Sequence, residues 1–474
     1  MGPERISASP WMMLPFGVLL AAIALAPTCC PAWWSRHYAK AAYGLGAMAL
    51  VYYLVGLHAW GPVLHIAHEY VSFIVLIGSL FVVSGGIHIT VKGEATPRVN
   101  VLFLLVGALL SNLLGTTGAS MLLIRPWLRM NQYRVTAHHV VFFIFIVSNV
   151  GGCLTPLGDP PLLLGYLEGV PFWWVAQHCW QMWAVALGFL LALFYVIDAF
   201  NYHRAPTEVR ARLAAAGEQW RFGGMWNLVY LLGILAAVFI NHPALLREGL
   251  MAALAAASYF STRPQIHEAN HFHFQPLTEV AVLFAGIFAT LLPVLDWLQN
   301  HASSLVNPSP GVFYWASGLL SSFLDSAPAY LGLLNVAFGR FTDPQAVSKV
   351  HDILQNHGQA GVIGSGSDAI GQAIAALQKY DPSVLATGHV TANQIQVAFL
   401  LSNGALSQYV VAISLGAVLF GALTYLGNGP NLMVKAIADH QKVRTPGFLA
   451  FIFRYALPCL APVLVLVWWL FFRT

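Results

Sequence analysis

The chain has 474 residues, of which 58% are hydrophobic and 8% are charged, and its formal net charge at pH 7 is +4. An average soluble domain is about 25% charged, so this protein cannot present a water-facing surface on all sides. The small net charge, with no basic stripe, also excludes a nucleic-acid-binding class. The composition therefore predicts a multi-pass protein embedded in membrane lipid.

Long apolar segments follow one another along the whole chain and predict its helices. Only helices and closed barrels satisfy their backbone hydrogen bonds within a bilayer, and these segments are too long for barrel strands. Many of them approach the roughly 20 residues that span a membrane. The predicted fold class is an all-α polytopic membrane protein, with apolar segments at 11–27, 39–60, 70–90, 99–124, 136–166, 171–200, 225–241, 244–260, 277–298, 312–339, 408–438 and 448–471.

Segment 99–124 is predicted to be a re-entrant hairpin that enters from the cytoplasm. Basic residues in short loops mark the cytoplasmic side, and they stand both before this segment, at Arg98, and after it, at Arg125. A spanning helix would place these two residues on opposite sides of the membrane. The hairpin interpretation removes that conflict and accounts for the polar, glycine-containing tip at 111–120.

The second half of the chain repeats this pattern. Segment 312–339 is predicted to be a second hairpin that enters from the opposite side, with its polar tip at 321–329. A helix interrupted by glycine and proline follows each hairpin, at 136–166 and at 408–438. The glycine-rich polar stretch 341–396 is predicted to be an extramembrane insertion of unknown role.

Corresponding features in the two halves have similar spacing, which predicts an inverted repeat. Asn112 and Asp159 are 47 positions apart; Asp325 and Asn431 are 106 apart, of which the insertion accounts for 56. Interrupted segments at matching positions in two halves are the best sequence indicator of a transporter's binding site. The predicted organisation is N-terminal helices over 1–68, a first repeat over 69–200, a cytoplasmic linker and connecting helices over 201–275, a second repeat over 276–440, and a C-terminal helix over 441–474.

The polar interruptions are predicted to meet near the bilayer midplane and to line a binding site. Non-helical backbone at that depth is tolerated only where it lines a cavity or is buried in protein. Carbonyl, hydroxyl and amide oxygens are the ligands that hard cations prefer. The candidate residues with such atoms are Ser111, Asn112, Thr116, Thr117, Ser148, Asn149, Thr155, Ser326, Asn428 and Asn431.

Asp159 and Asp325 supply the charge of the predicted site. An intramembrane carboxylate is costly and is a functional-site candidate by default. Burial disfavours an ionised carboxylate and a bound cation favours it again, so one group can exchange a proton for a sodium ion. Sodium is predicted at Asp159, Asp325, Asn112 and Asn149, with Glu279 as a proton relay or, alternatively, an interfacial glutamate near a helix end. No resident cofactor is predicted.

These motifs resemble the ion-transporter superfamily, most closely the NhaD-type sodium/proton antiporters and the citrate-transporter-like family. The first-half segments that carry the resemblance are SNLLGTTGASMLLIRP and SNVGGCLTPLGDPP; those of the second half are PLTEVAVLFAGIFAT, SSFLDSAPA and LGNGPNLMVKAIA. The resemblance implies an inverted-repeat fold with scaffold and transport domains, two re-entrant hairpins and two broken helices. It also implies elevator-type alternating access, a homodimer formed through the scaffold, and a place in the bacterial inner membrane.

The predicted function is sodium(lithium)/proton antiport, and the alternative is sodium- or proton-coupled transport of citrate or another carboxylate. No lysine or arginine lies within the four polar motifs, which favours a cation, although backbone amides can hold an anion. Carboxylate transporters of the superfamily carry Ser-Asn-Thr at both tips; here Ser111-Asn112 lacks the threonine, and Asp325-Ser326-Ala327 replaces the second motif.

Arsenite export is a weaker option. The Gly-x-Gly-Asp signature of intramembrane aspartyl proteases is missing, so no enzyme is predicted.

Overall fold

The computed structural model of the protein describes residues 9–92, 95–204, 219–238, 240, 245–270, 272–301, 309–323, 326–356, 369–380 and 390–473. Within these residues the chain is almost entirely helical, and one antiparallel pair of short strands makes up its β-structure. Seven of the described helices are long and apolar enough to cross a membrane. The prediction of an all-α polytopic membrane protein is therefore confirmed.

The first half of the chain runs from an N-terminal helical pair to a long seventh helix. Its elements are α1 (Leu14–Cys29), α2 (Pro31–Val51), α3 (Trp60–Gly85), β1 (His88–Lys92), α4 (Pro97–Met130), α5 (Ala137–Ile146), α6 (Pro160–Leu167) and α7 (Trp174–Arg204). Helix α3 begins ten residues before the predicted start at residue 70. In this first part of α3, His65 Nε2 lies 3.3 Å from Glu69 Oε1, which stands one turn later.

The second half has twelve described helices against seven in the first, because its hairpin consists of two separate helices and four further helices are inserted. Its elements are β2 (Gln219–Gly223), α8 (Asn227–Ala237), α9 (Leu246–Ser261), α10 (Pro264–Ala269), α11 (Gln275–His301), α12 (Pro310–Phe323), α13 (Ser326–Phe341), α14 (Pro344–Asn356), α15 (Ala369–Tyr380), α16 (Ala392–Ser402), α17 (Gly404–Phe420), α18 (Gly429–His440) and α19 (Phe448–Phe471, including a π-helical stretch at Ile452–Leu460).

Helices outside the predicted repeats also pack in corresponding ways in the two halves. Helices α1 to α3 correspond to α8, α9 and α11, because α2 packs on α11 as α9 packs on α3. The long helix α7 corresponds to α19 in the same way at the end of each half. Helices α2 and α9, which lie in the ranges 1–68 and 201–275, therefore take corresponding positions against α11 and α3, and the predicted domain boundaries stay a prediction.

Helix α4 folds back on itself at Gly115, the one residue inside it with non-helical angles (φ +76°, ψ 154°). Phe103 and Trp127, on opposite sides of this point, stack with ring centroids 5.3 Å apart. A Cβ on Gly107 would lie 3.3 Å from Leu123, so the two arms also touch closer to the tip. The first predicted hairpin segment is thus a pair of antiparallel helical arms.

Helices α12 and α13 form the second hairpin, with Phe313 and Phe341 packed at its open end at a centroid distance of 6.3 Å. Each hairpin exposes an apolar stripe on its first arm. Leu102, Leu109 and Leu113 in the first hairpin match Val312, Leu319 and Phe323 in the second, each 210 positions later, and all six are exposed. In a membrane protein, such stripes are suited to contact with lipid.

The two hairpins open to opposite faces of the molecule. Helix α17 begins beside the open end of the second hairpin, where Phe341 and Tyr409 pack with ring centroids 4.4 Å apart. Helix α18 ends beside the first hairpin, where His440 and Arg125 line one cleft. Arg125, in the first hairpin, and His440, at the end of α18, therefore lie on one face, here called the basic face.

Helices α3 and α11 cross near the centre of the molecule and are equivalent in the two halves. Phe73 stacks on Phe284 at a centroid distance of 4.9 Å, and Tyr70 donates a hydrogen bond to Ala281 O at 3.0 Å. We call α1–α3, α8, α9 and α11 the frame helices. Helices α4–α6, α12, α13, α17 and α18 are called the site helices, because they carry all of the polar interruptions.

The described part of the predicted insertion contains three helices, α14 to α16, with a small apolar core of their own. Helix α15 coincides with the helical signal that the sequence shows between residues 368 and 380. The last helix, α16, continues to Ser402, beyond the predicted limit at 396, because its apolar residues complete that core. Asn393 at the start of α16 donates a hydrogen bond to Glu168, so the insertion lies on the face opposite the basic one.

Candidate functional site

The first broken helix is interrupted between α5 and α6. After Ile146 the chain makes a 3-10 turn over Val150–Gly152, and α6 then begins with Asp159 as its N-cap residue. Pro160 fits the first helical position because its missing N–H would lack a partner there in any case. Gly158 permits a close crossing, since a Cβ on it would lie 2.0 Å from Gly152 O.

The second broken helix has the same construction. Helix α17 ends at Phe420, a 3-10 turn covers Gly421–Leu423, and α18 begins with Asn428 as its N-cap residue. The sequence TPLGDPP at 155–161 corresponds to TYLGNGP at 424–430, an offset of 269 positions. Asp159 and Asn428 therefore occupy equivalent places in the two halves.

Hydrogen bonds fasten each hairpin to the break that follows it. In the first half, Asn112 Nδ2 donates to Gly151 O at 2.6 Å, and Thr155 Oγ1 donates to Asn112 O at 2.5 Å. In the second half, Thr424 Oγ1 donates to Ser322 O at 2.5 Å. Because Thr424 and Ser322 are the equivalents of Thr155 and Asn112, the same bond is made twice, and each hairpin tip is held against the interrupted backbone.

Asp159 lies where the first hairpin tip and the two breaks meet. Its side chain is 1% exposed. Its Oδ1 atom accepts hydrogen bonds from Thr116 Oγ1 at 2.7 Å and from Asn428 Nδ2 at 3.0 Å. The predicted contact between residues from both halves is therefore present at this carboxylate.

A chain of amides extends from this carboxylate. Asn428 Nδ2 also lies 3.0 Å from Ser148 O and 3.3 Å from Asn149 Oδ1. With Asp159 Oδ1, these three acceptors fix the orientation of the Asn428 amide, because only its nitrogen can donate to them. Asn149 Nδ2 in turn donates to Asn431 Oδ1 at 2.8 Å. Asn428 Oδ1 is buried and has no hydrogen-bond partner among the described residues.

The arrangement can hold a small hard cation. The carboxylate of Asp159, the amide oxygen of Asn428 and the hydroxyl of Thr116 are oxygen donors of the kind that such ions prefer. A buried carbonyl oxygen costs free energy unless it finds a partner, and a cation would supply one for Asn428 Oδ1.

Three of the predicted ligands have a positioning role in the structure. Both amide atoms of Asn112 are engaged by backbone, because its Oδ1 accepts from Leu154 N at 2.9 Å while its Nδ2 donates to Gly151 O. Ser111 Oγ donates to Val147 O at 2.8 Å. With Thr155, these side chains hold the hairpin tip in place and have little capacity left for an ion.

The remaining predicted residues are buried at the first break or at the hairpin tips. Ser148 Oγ is 2.7 Å from Ser120 Oγ, and Thr117 and Ser326 are buried at the two hairpin tips. The second predicted carboxylate, Asp325, lies outside the described residues.

Glu279 lies half-buried near the beginning of α11. It accepts a hydrogen bond from Gln275 Nε2 at 2.9 Å, four residues earlier, in the same relation as His65 and Glu69 in α3. Its part as a proton relay stays a prediction.

Asp198, near the end of α7, forms a buried ion pair that the sequence did not indicate. Arg134 donates to both carboxylate oxygens, at 2.9 Å for the Nη2–Oδ2 pair, and Asn100 Nδ2 donates to Oδ2 at 2.8 Å. Burial alone would lower the pKa of Arg134, but the hydrogen bonds and charge of Asp198 raise it above its usual value. This pair fastens the base of the first hairpin to α7.

His138 and His139 also face Asp198, with Nε2–Oδ1 distances of 3.4 and 3.1 Å. These three residues are spaced closely enough to hold a metal ion. The guanidinium of Arg134 already occupies both carboxylate oxygens, however, and a cation would be repelled by it. The cluster is better explained as a structural ion-pair network. The only local signal of this pair in the sequence is an aspartate, Asp198, within an apolar segment, and nothing nearby marks Arg134 as its partner.

The comparison with known families agrees with this architecture. Residues 5–472 match the model of a family described as "Putative citrate transport". The chain belongs to this family. A search of curated protein sequences found no match. The family and the apolar helices together identify a multi-pass membrane protein of a transporter family, which agrees with the predicted resemblance to the citrate-transporter-like group.

Proposed function

We propose that the protein is a secondary active transporter that exchanges sodium or lithium ions for protons at Asp159. The observation that carries this proposal is the position of Asp159: a carboxylate that is 1% exposed, at the junction of two broken helices, where it accepts a hydrogen bond from the amide of Asn428. An ionised carboxylate is costly in that place. Either a proton or a cation removes the cost, so the two compete for one site.

The arrangement of the helices supports an elevator-type mechanism. The site helices contain both hairpins and both breaks. They also contain Thr116 and Asn428, which donate hydrogen bonds to Asp159. Helices α3 and α11 of the frame pack against each other. A site contained within one group of helices can move with that group relative to the other. We infer that the site helices carry the ion past the frame, which exposes Asp159 first to one face and then to the other.

The second candidate function is cation-coupled transport of citrate or another carboxylate. The family description favours it. In this version the cation at Asp159 provides the driving force, and the anion needs positive charge or helix N-termini elsewhere in the site helices. Two helix N-termini meet at Asp159, because Asp159 caps α6 and its hydrogen-bond partner Asn428 caps α18.

Transport in liposomes tests both candidates. The purified protein would be reconstituted with an internal pH dye under an imposed proton gradient, and sodium, lithium, potassium or citrate would be added in turn. Antiport predicts proton movement with sodium or lithium that is lost in Asp159→Asn. The matched control is Asp439→Asn, a change of the same kind at an exposed aspartate on the basic face. Proton movement with citrate and with no cation alone would establish the carboxylate carrier instead.

A further inference from the structure

A cleft opens on the basic face, well away from Asp159. It is lined by Phe81, Asn270 and His273 from the frame side and by Arg125, Ile437, His440 and Gln441 from the site helices. Arg125 stands nine residues beyond Thr116 on the same helical arm, which corresponds to about 13 Å. The cleft is therefore a separate place on the molecule, located between its two groups of helices.

Arg125 forms the floor of this cleft and is only 5% exposed. Its Nε donates to Asn270 O at 3.1 Å, and its Nη1 makes a long contact of 3.5 Å to Met121 O. A guanidinium carries five N–H donors, so these two carbonyls leave it incompletely satisfied. Among the described residues no carboxylate forms an ion pair with Arg125. A buried charge without an opposite charge is costly, and a ligand anion would remove that cost.

The surroundings of Arg125 add further positive charge. His273 and His440 face each other across the cleft with ring centroids 4.3 Å apart. The Nδ1 atom of His273 is buried and has no hydrogen-bond partner in the described part of the chain. Arg129 lies close enough to Arg125 for the two charges to repel. Among the described residues, Glu279 on α11 is the acidic group whose charge acts on this histidine. Arg125 and Arg129 therefore supply the permanent positive charge here, and the two histidines supply ring nitrogens that can donate to an anion.

We propose that this cleft is a binding site for a small oxyanion with carboxylate or phosphate chemistry. Arg125 would hold the anion through its guanidinium, which matches the planar geometry of such groups, and the two histidines would donate from the sides. This proposal goes beyond ion exchange at Asp159 and does not depend on it.

An anion in the cleft would contact both groups of helices. Arg125 and His440 belong to the site helices, whereas Asn270 and His273 belong to the connection between α9 and α11. An anion that contacts both sides would hold them together and stabilise the arrangement described here. A ligand that binds the folded protein raises its stability in proportion to the logarithm of ligand concentration, which makes the binding measurable without any transport assay.

Equilibrium binding to the full-length protein in detergent tests the proposal. Citrate, inorganic phosphate and chloride would be titrated separately at constant ionic strength, with calorimetry and the thermal midpoint as readouts. We expect saturable binding of citrate or phosphate, with the stronger of the two identifying the class of oxyanion, and no saturable effect of chloride. Failure of both oxyanions to bind would overturn the proposal.

Variants locate the site. Arg125→Gln is expected to weaken binding at least tenfold, whereas Arg444→Gln, an exposed arginine on the same face, is expected to leave it unchanged. Should Arg125→Gln fail to fold, His440→Ala at the exposed rim is expected to weaken binding several-fold in folded protein. Binding of native strength in folded His440→Ala and Arg125→Gln proteins would refute the site. Asp159→Asn should bind the anion normally, so loss of ion exchange and loss of this site are distinguishable.

Discussion

Asp159 Oδ1 accepts a hydrogen bond from Asn428 Nδ2 at 3.0 Å, and the two residues are equivalent positions in the two halves of the chain. Both are N-cap residues of the second segment of a broken helix, and both precede a proline by one or two positions. The repeat therefore brings two copies of one structural position into contact, with a carboxylate in one copy and an amide in the other. This asymmetry gives the site a single charge.

Asn428→Asp tests whether the site depends on having only one carboxylate. Two carboxylates about 3 Å apart cannot both remain ionised without a cation between them, so one is expected to hold its proton to a higher pH. We expect folded protein whose exchange activity has its optimum shifted to alkaline pH by about one unit or more. The measurement is the pH profile of sodium-driven exchange in liposomes. Asn428→Ala provides the comparison, because it removes the amide without adding charge and should reduce activity without that alkaline shift.

Gly158→Ala should disrupt the first break. A Cβ at this position would lie 2.0 Å from the carbonyl oxygen of Gly152. The atoms that it would meet all belong to the backbone of Gly152, which cannot shift as easily as a side chain. We expect a loss of about 2–3 kcal/mol in the free energy of unfolding, typical of overpacking, together with loss of transport. The measurement is the thermal midpoint in detergent. Gly188→Ala is the control, since a Cβ there meets nothing within 4 Å; equal stability of the two variants would contradict the explanation.

The broken helices could be predicted from sequence because their signals are local. Glycine and proline near Asp159, and again near Asn428, interrupt apolar runs that are otherwise long enough to span a membrane. The hairpin at Gly115 could be predicted because basic residues stand on both sides of one apolar segment. In each case a few neighbouring residues determine the backbone, and the membrane leaves few alternatives.

Contacts between distant segments could not be predicted in the same way. The cleft joins Arg125 to Asn270 and His440, and the buried ion pair joins Arg134 to Asp198. No local pattern marks such partners, because they depend on how the two halves pack. The corresponding contacts of α2 with α11 and of α9 with α3 likewise depend on how the helices pack.

Asp198→Asn should destabilise the protein strongly. The variant leaves Arg134 buried without its charged partner, and breaking a buried pair in this way typically costs about 3–5 kcal/mol. The thermal midpoint and the free energy of unfolding in detergent measure the effect. Asp439→Asn removes the acidic partner of an exposed pair, where Lys435 Nζ lies 2.5 Å from the carboxylate, and should cost less than about 1 kcal/mol. Similar losses in both variants would argue against a buried network at Asp198.

The proposed oxyanion site should respond to pH through His273. Burial lowers the pKa of this histidine below its usual value, and the charges of His440 and Arg125 lower it further, while Glu279 opposes them. In the empty cleft His273 is therefore neutral at pH 7. A bound anion favours the protonated form, so binding takes up a proton and the affinity rises as the pH falls.

We expect affinity for citrate or phosphate to be roughly threefold or more higher at about pH 5.5 than at about pH 8, the range over which histidine charge changes. Calorimetric titration at the two pH values measures it, with the ionisation of the free anion included in the analysis. His273→Gln keeps a polar side chain and removes the titration, so its affinity should depend less on pH. A pH dependence unchanged in His273→Gln would assign the effect to another group and show that His273 does not face the anion.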